Sequence, residues 1–240
     1  MYKNQRVILL TATFNEEAKI GAVIRGVPPG IVDRILVIDD GSTDNTAAVA
    51  REAGAEVVLL GDNLGVGYAA RRGFEVAREA GFDIIVTIAG NNKDDPREIP
   101  RLLDPICDDG FDFVIGSRFL AGGKLGGDMP LYRRFATRLH PWLVGLFCGR
   151  KITESTNGFR AMRTSILGDA RINLYQGWLN HYELEVYLLM KIFRLGYRAT
   201  EVPCTKLYPS RKIGNTKMRP VVDWWRMLRP IFLLGLGIRR

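Results

Sequence analysis

Five short apolar runs, at 6–11, 34–38, 55–60, 83–88 and 112–116, alternate with segments of helical periodicity near 16–26, 43–53, 66–80 and 96–107. Continuous apolar strands are covered on both faces, and a strand–helix rhythm joins parallel neighbours through crossovers. The pattern predicts an α/β fold with a mostly parallel central sheet flanked by helices. Behind it, residues 129–148 read as an amphipathic helix or helix pair, 180–195 as a further helix and Tyr197–Val202 as a late strand. The segment Pro220–Gly237 mixes Trp224, Trp225, Arg226 and Arg229 with leucines, the make-up of an interfacial helix or of a terminal helix packed on the domain. Between front and rear, the glycine-rich stretch Ala121–Gly127 reads as a mobile loop.

The second strand runs directly into Asp39 and Asp40, followed by Gly41, Ser42, Thr43 and Asp44. In open α/β sheets ligands bind beyond the carboxyl ends of the strands, where two acids can meet the donors of a base or ribose. Ser42, Thr43 and Asp44 are also good helix caps, so a purely structural turn fits the same residues.

Length and charge narrow the picture. At 240 residues the chain suits one domain, 1–240, with a front half (1–118) that carries the paired acids and a rear half (119–240). No apolar run approaches the roughly 20 residues of a membrane span, and no leader pattern opens the chain. A cytoplasmic location is expected, extending to peripheral attachment on the inner membrane face. Three scattered cysteines and two histidines argue against disulfides and a histidine-rich zinc site. The net charge of +8 is concentrated in the rear, which suits a phosphate-bearing partner or an anionic membrane surface. Nucleic acid ranks last, because no recognition motif interleaves aromatics with the basic residues.

Four motifs in order identify a resemblance: Ala12–Glu17 after the first strand, Ile38–Thr46, Asn63–Ala69, and Asn157–Met162. Together they resemble the family 2 glycosyltransferases of GT-A fold, most of all the dolichol-phosphate mannose synthase and polyprenyl-phosphate glycosyltransferase group. The resemblance implies that Ala12, Phe14 and Glu16, with Asp39 and Asp40, contact a nucleotide-diphosphate sugar. Gly116–Ser117–Arg118 resembles the group's phosphate-meeting element, making Arg118 the expected acceptor-phosphate ligand with Arg133 or Arg134. Lys206, Arg211, Lys212 and Lys217 fall in a loop that closes over donor phosphates in relatives. Glu154 stands where relatives place an acid able to act as general base, and with Arg160 it equally suits a structural ion pair. His181, Glu183 and Glu185 are weaker candidates for sugar contacts.

One position departs from the family. Relatives end the fourth strand with two carboxylates around a divalent metal, whereas this chain reads Ala89–Gly90–Asn91–Asn92–Lys93–Asp94–Asp95. An amide oxygen is a poor ligand for Mg²⁺ or Mn²⁺. Asn91 as a weak metal ligand, Lys93 as a substitute cation, and Asp94 or Asp95 as later ligands are three open readings. The working expectation is reduced or absent metal dependence with Lys93 compensating, and a helix cap at Asp94–Pro96.

The sequence thus leads to an inverting glycosyltransferase moving sugar to a polyprenyl phosphate at the membrane surface. Two alternatives stand beside it: transfer to a soluble sugar, nucleoside or small hydroxyl acceptor, and a sugar-nucleotide-binding protein with little catalysis.

Overall fold

The structure is a computed structural model that describes residues 1–127, 129–208, 218–219 and 221–239. Lys212 and Lys217, and with them Arg211, lie outside the described residues. The front half follows the expected rhythm, with boundaries shifted by a residue or two. Its strands are β1 (Val7–Thr13), β2 (Arg34–Asp39), β3 (Glu56–Leu59), β4 (Ile84–Thr87) and β5 (Phe113–Ser117). Helices α1 (Glu17–Arg25), α2 (Thr46–Glu52), α3 (Val66–Glu79) and α4 (Ile99–Asp108) connect them. Alternation decides the faces: Ile8 and Leu10 pack with Phe74 of α3, while Val7 and Leu9 pack with Leu102 and Ile106 of α4.

In the rear the late strand expected at Tyr197–Val202 is present as Ala199–Pro203, and three further strands accompany it that the apolar pattern did not show. Part of the glycine-rich stretch is strand β6 (Lys124–Gly127), paired in parallel with β9 (Thr205–Tyr208) as a separate two-stranded sheet. Strand β7 (Arg160–Arg163) runs antiparallel between β4 and β5, and β8 (Ala199–Pro203) closes the edge, giving the order β3-β2-β1-β4-β7-β5-β8. Because β7 is antiparallel, the residues before it reach the carboxyl ends of β4 and β5. That reversal delivers 154–158 to the side of the sheet where ligands bind.

Residues 129–148 form one helix, α5 (Leu131–Cys148), followed by α6 (Glu183–Arg194) and α7 (Val222–Gly235). α7 buries Asp223, Met227, Ile231 and Leu234, the packed face of the terminal helix, and leaves Trp225 exposed. Among the described residues no helix is long and apolar enough to cross a membrane.

His140 of α5 joins these parts. Its Nε2 lies 3.2 Å from the Met227 carbonyl and its Nδ1 2.7 Å from Ser155 Oγ. A carbonyl only accepts, so Nε2 carries the proton and Nδ1 accepts from the serine. Burial pushes the imidazole pKa down from 6.5 to about 4, so the fold holds the neutral ring. Its contribution is therefore complete above pH 6.5 and is lost as pH falls towards and through about 4. The expected loss is of the order of 3 kcal/mol. Urea titrations at neutral and acid pH should show it, and His140→Asn should flatten the dependence over that window; an equal slope in the variant would refute the assignment.

Candidate active site

A cleft of about 590 Å³ opens at the carboxyl ends of β1, β2 and β4 and is closed behind by α5, α6 and the start of α7. Its walls include Ala12, Phe14, Glu16, Asp40, Ala89, Gly90, Asn91, Lys93 and Arg133. The expected donor-side residues therefore converge, with one exception.

The exception is Asp39, which lies buried beside the cleft. Its Oδ1 accepts from Ser42 N at 2.7 Å, and its Oδ2 has no hydrogen-bond partner among the described residues. Asp40 faces the cleft but is engaged by main-chain donors, accepting from Leu64 N at 2.8 Å and from Gly65 N at 3.0 Å. Burial raises its pKa, against the lowering effect of those N–H groups. Asp40 thus shapes the glycine-rich turn before α3. Gly65 has φ +102°, and a Cβ there would lie 2.3 Å from the Asn180 carbonyl oxygen. At Gly67 a Cβ would lie 2.2 Å from the Leu179 oxygen, and Gly67 N and Tyr68 N both donate to Asn180 O at 3.0 Å. The glycines are there for close backbone approach, as a glycine-rich start of a helix rather than a dinucleotide fingerprint.

The β4 end resolves the aspartates. Asp95 caps the short helix after it, accepting from Arg97 N at 3.0 Å. Asp94 is buried and grips Lys206 Nζ at 2.7 and 2.9 Å, and the same ammonium donates to Asn157 Oδ1 at 2.6 Å. Neither acid is free for a metal, and Lys206 is a buried tether of β9 rather than part of an open phosphate loop. Asn91 Oδ1 accepts from Lys93 N at 3.2 Å. Among the described residues no three His, Cys, Asp or Glu side chains converge as a metal nest. One amide and an ammonium do not fit a carboxylate-held divalent ion.

Arg118 reaches the cleft wall, but it is engaged there by Glu154. Both are buried, with Arg118 Nε 2.8 Å from Glu154 Oε2. Glu154 Oε1 also accepts from Thr156 N at 2.8 Å, Thr156 Oγ1 at 2.9 Å and Ser155 N at 3.0 Å. Burial disfavours the Arg118 charge most, but Glu154, Tyr208 and Asp94 together outweigh it and the pKa is raised overall. A carboxylate held this way is a counter-ion rather than a proton acceptor. Arg118 Nη1 donates to Tyr208 Oη at 2.7 Å. Of the two candidate arginines on α5, Arg133 lines the cleft, whereas Arg134 is exposed beside Phe119 and Leu125.

Glu185, a weak candidate by sequence, lines the cleft beside Gly158. Among the described residues its carboxylate has no hydrogen bond; Arg160 Nη2 stands 3.9 Å away. The other cleft acids are occupied: Glu16 pairs with Lys19 at 3.0 Å, and Asp223 accepts from Arg219 N at 2.6 Å and Arg226 at 3.0 Å. His181 also faces the cleft, its pKa lowered by burial and by Arg226. No local signal marks Glu185, because its exposure depends on α6 meeting Gly158 across the fold.

Residues 8–170 match the profile of Glycosyl transferase family 2. The chain is 30% identical over 221 residues to an undecaprenyl-phosphate mannosyltransferase of Micrococcus luteus, covering 89% of this chain and 87% of that protein. It is 29% identical over 221 residues to polyprenol monophosphomannose synthase of Mycolicibacterium smegmatis, covering 89% and 81%. A solved structure of glucosyl-3-phosphoglycerate synthase from Mycobacterium tuberculosis, with Mn²⁺, UDP-glucose and phosphoglyceric acid, matches 99% of this chain and 82% of that one. Its TM-score is 0.68 at 22% identity.

Structures of that synthase hold Mn²⁺ or Mg²⁺ with UDP, so the divalent ion left open by the sequence accompanies the donor nucleotide elsewhere in this fold. The polyprenyl-phosphate acceptor requires correction. The acceptor found with UDP-glucose in the matching structure is the soluble phosphoglyceric acid. In this chain Arg118, on which the lipid-phosphate reading leaned, is closed against Glu154. With the family profile over more than half its length and the same fold throughout, the chain belongs to glycosyl transferase family 2, as a single-domain GT-A glycosyltransferase using a nucleotide-sugar donor.

Proposed function

We propose that this glycosyltransferase moves a sugar from a nucleotide-diphosphate sugar to a hydroxyl of a small soluble acceptor. The observation that carries the reading is Glu185, the cleft carboxylate left without a hydrogen bond among the described residues. A hydroxyl nucleophile needs a proton acceptor within the cleft, whereas an already ionised phosphate oxygen does not. In this reaction the acceptor oxygen bonds to the anomeric carbon and the carbon–oxygen bond to the diphosphate breaks. The electron pair leaves with the diphosphate, and the hydroxyl proton passes to Glu185. Asp40 and the turn it holds shape the nucleoside end, with Phe14 offering a ring face to the base.

The test is a screen of UDP-, GDP- and dTDP-sugars against water-soluble hydroxyl compounds, with 3-phosphoglycerate among them, with and without Mn²⁺. Acceptor-dependent release of nucleoside diphosphate and a water-soluble glycosylated product are expected. Transfer confined to products that partition into organic solvent would overturn the reading.

A further inference from the structure

Most cations at the cleft already have a carboxylate. Lys19 has Glu16, Lys206 has Asp94, Arg118 has Glu154, and Arg226 has Asp223. Besides the exposed Arg219, Lys93 and Arg133 differ: among the described residues neither has a carboxylate within ion-pair distance, yet both line the cleft. They also share a support. Lys93 Nζ lies 5.1 Å from the centre of the Tyr208 ring, and the Arg133 guanidinium carbon lies 5.6 Å from the same centre.

The support is fixed from three directions. Tyr208 Oη receives the 2.7 Å hydrogen bond from Arg118, itself clamped by Glu154. β9 is laddered to β6 and held by the Lys206–Asp94 pair. The Lys93 carbonyl accepts from Leu207 N at 2.8 Å, so the lysine backbone is bonded to the strand that carries the tyrosine. Two like charges on one ring repel, and the ring face offsets only part of that cost. Burial, then Arg133, Lys206 and Lys19, lower the Lys93 pKa to about 8. A strongly acidic oxygen ligand between them would relieve both the repulsion and the lost hydration.

We propose that Lys93 and Arg133, mounted on Tyr208, form a seat for a phosphate group, in which side-chain cations stand where relatives gather carboxylates around a metal. Arg118 is then a positioning residue, acting through Tyr208. The site recognises a phosphate of either source, the donor diphosphate or a phosphate on the acceptor. Only the identity of the source rests on the glycosyl-transfer reading; the seat itself is a binding site for the group.

The experiment is calorimetric titration of the full chain with UDP, GDP, uridine, guanosine, inorganic pyrophosphate and inorganic phosphate, in chelator and in Mn²⁺. Wild type is compared with Lys93→Met, Arg133→Met, Tyr208→Leu and Tyr208→Phe, each checked for folding by circular dichroism. In chelator, wild type should bind phosphate-bearing probes, and Lys93→Met and Arg133→Met should each weaken them about ten- to a hundredfold. Nucleoside binding should stay unchanged in those two variants. Tyr208→Phe, which keeps the ring and loses the Arg118 bond, should fall between wild type and Tyr208→Leu. Loss confined to the nucleoside diphosphates assigns the seat to the donor; loss confined to inorganic phosphate assigns it to the acceptor. Wild type that binds pyrophosphate but no nucleoside diphosphate keeps the seat and removes the donor reading. Wild-type affinities for every phosphate probe in both methionine variants would overturn the proposal, as would phosphate binding that appears only with Mn²⁺ and ignores the substitutions.

Discussion

Glu154→Ala should lower the unfolding free energy by about 3–5 kcal/mol, the range for removing one partner of a buried ion pair. The size follows from what stays behind. Arg118 would keep its bonds to Tyr208 and Thr156 Oγ1 but lose the carboxylate it is paired with. The main-chain donors of Ser155 and Thr156 would lose their acceptor at the same time. Glu154→Gln keeps an acceptor oxygen for them and should cost less than alanine. Urea titration by circular dichroism gives the order of stabilities, and turnover per folded molecule separates structure from chemistry. A Glu154→Gln protein as stable as wild type, yet a hundredfold or more slower towards a soluble acceptor, would make Glu154 the proton acceptor and dismiss the counter-ion assignment.

Glu185→Gln should reduce kcat by about 10²–10⁴-fold, the usual contribution of a positioned general base. Its stability should hardly change. The carboxylate is partly exposed and stands 3.9 Å from Arg160, a pair worth at most about 1 kcal/mol after solvent screening. Donor affinity should persist, because the amide occupies the same volume. The deficit should also shrink for acceptors with more acidic hydroxyls, which need less help in losing a proton. A merely structural role would not produce that trend. Unchanged kcat in a folded Glu185→Gln enzyme would remove the residue from the mechanism.

The front of the fold was open to reading because its inner strands β1, β4 and β5, and the end of β2, are buried on both faces. Leu36, Val37 and Ile38 leave no doubt of a covered strand, and Asp39 and Asp40 mark its exit. β7 escaped because Arg160-Ala161-Met162-Arg163 begins and ends on arginine. Its place in the sheet comes from its neighbours β4 and β5 and from Arg160, which donates to main-chain oxygens of Ser155, Asn157 and Glu185. Site residues followed the same division. Ala12, Phe14, Asp40, Asn91 and Lys93 reach the cleft because strand ends put them there. Which carboxylate stays available is a matter of pairing across long separations: Asp94 with Lys206, Glu154 with Arg118, and Glu185 with no hydrogen-bond partner among the described residues. Residue type and spacing carry no record of such pairings, so Glu154 outranked Glu185.

The contact of Gly65 and Gly67 with the backbone at 179–181 bears on how substrates are admitted. Gly67 N and Tyr68 N donate to Asn180 O, and the His181 side chain packs against Gly65, so these two walls of the cleft are stitched together. Such a molecule cannot gape like a jaw hinged at the 121–127 segment without first tearing those main-chain bonds. Discrimination among sugars should therefore depend on the fit of a preset chamber, and grafting the rear of another transferase onto this front should fail unless the 179–181 stitch is transplanted with it.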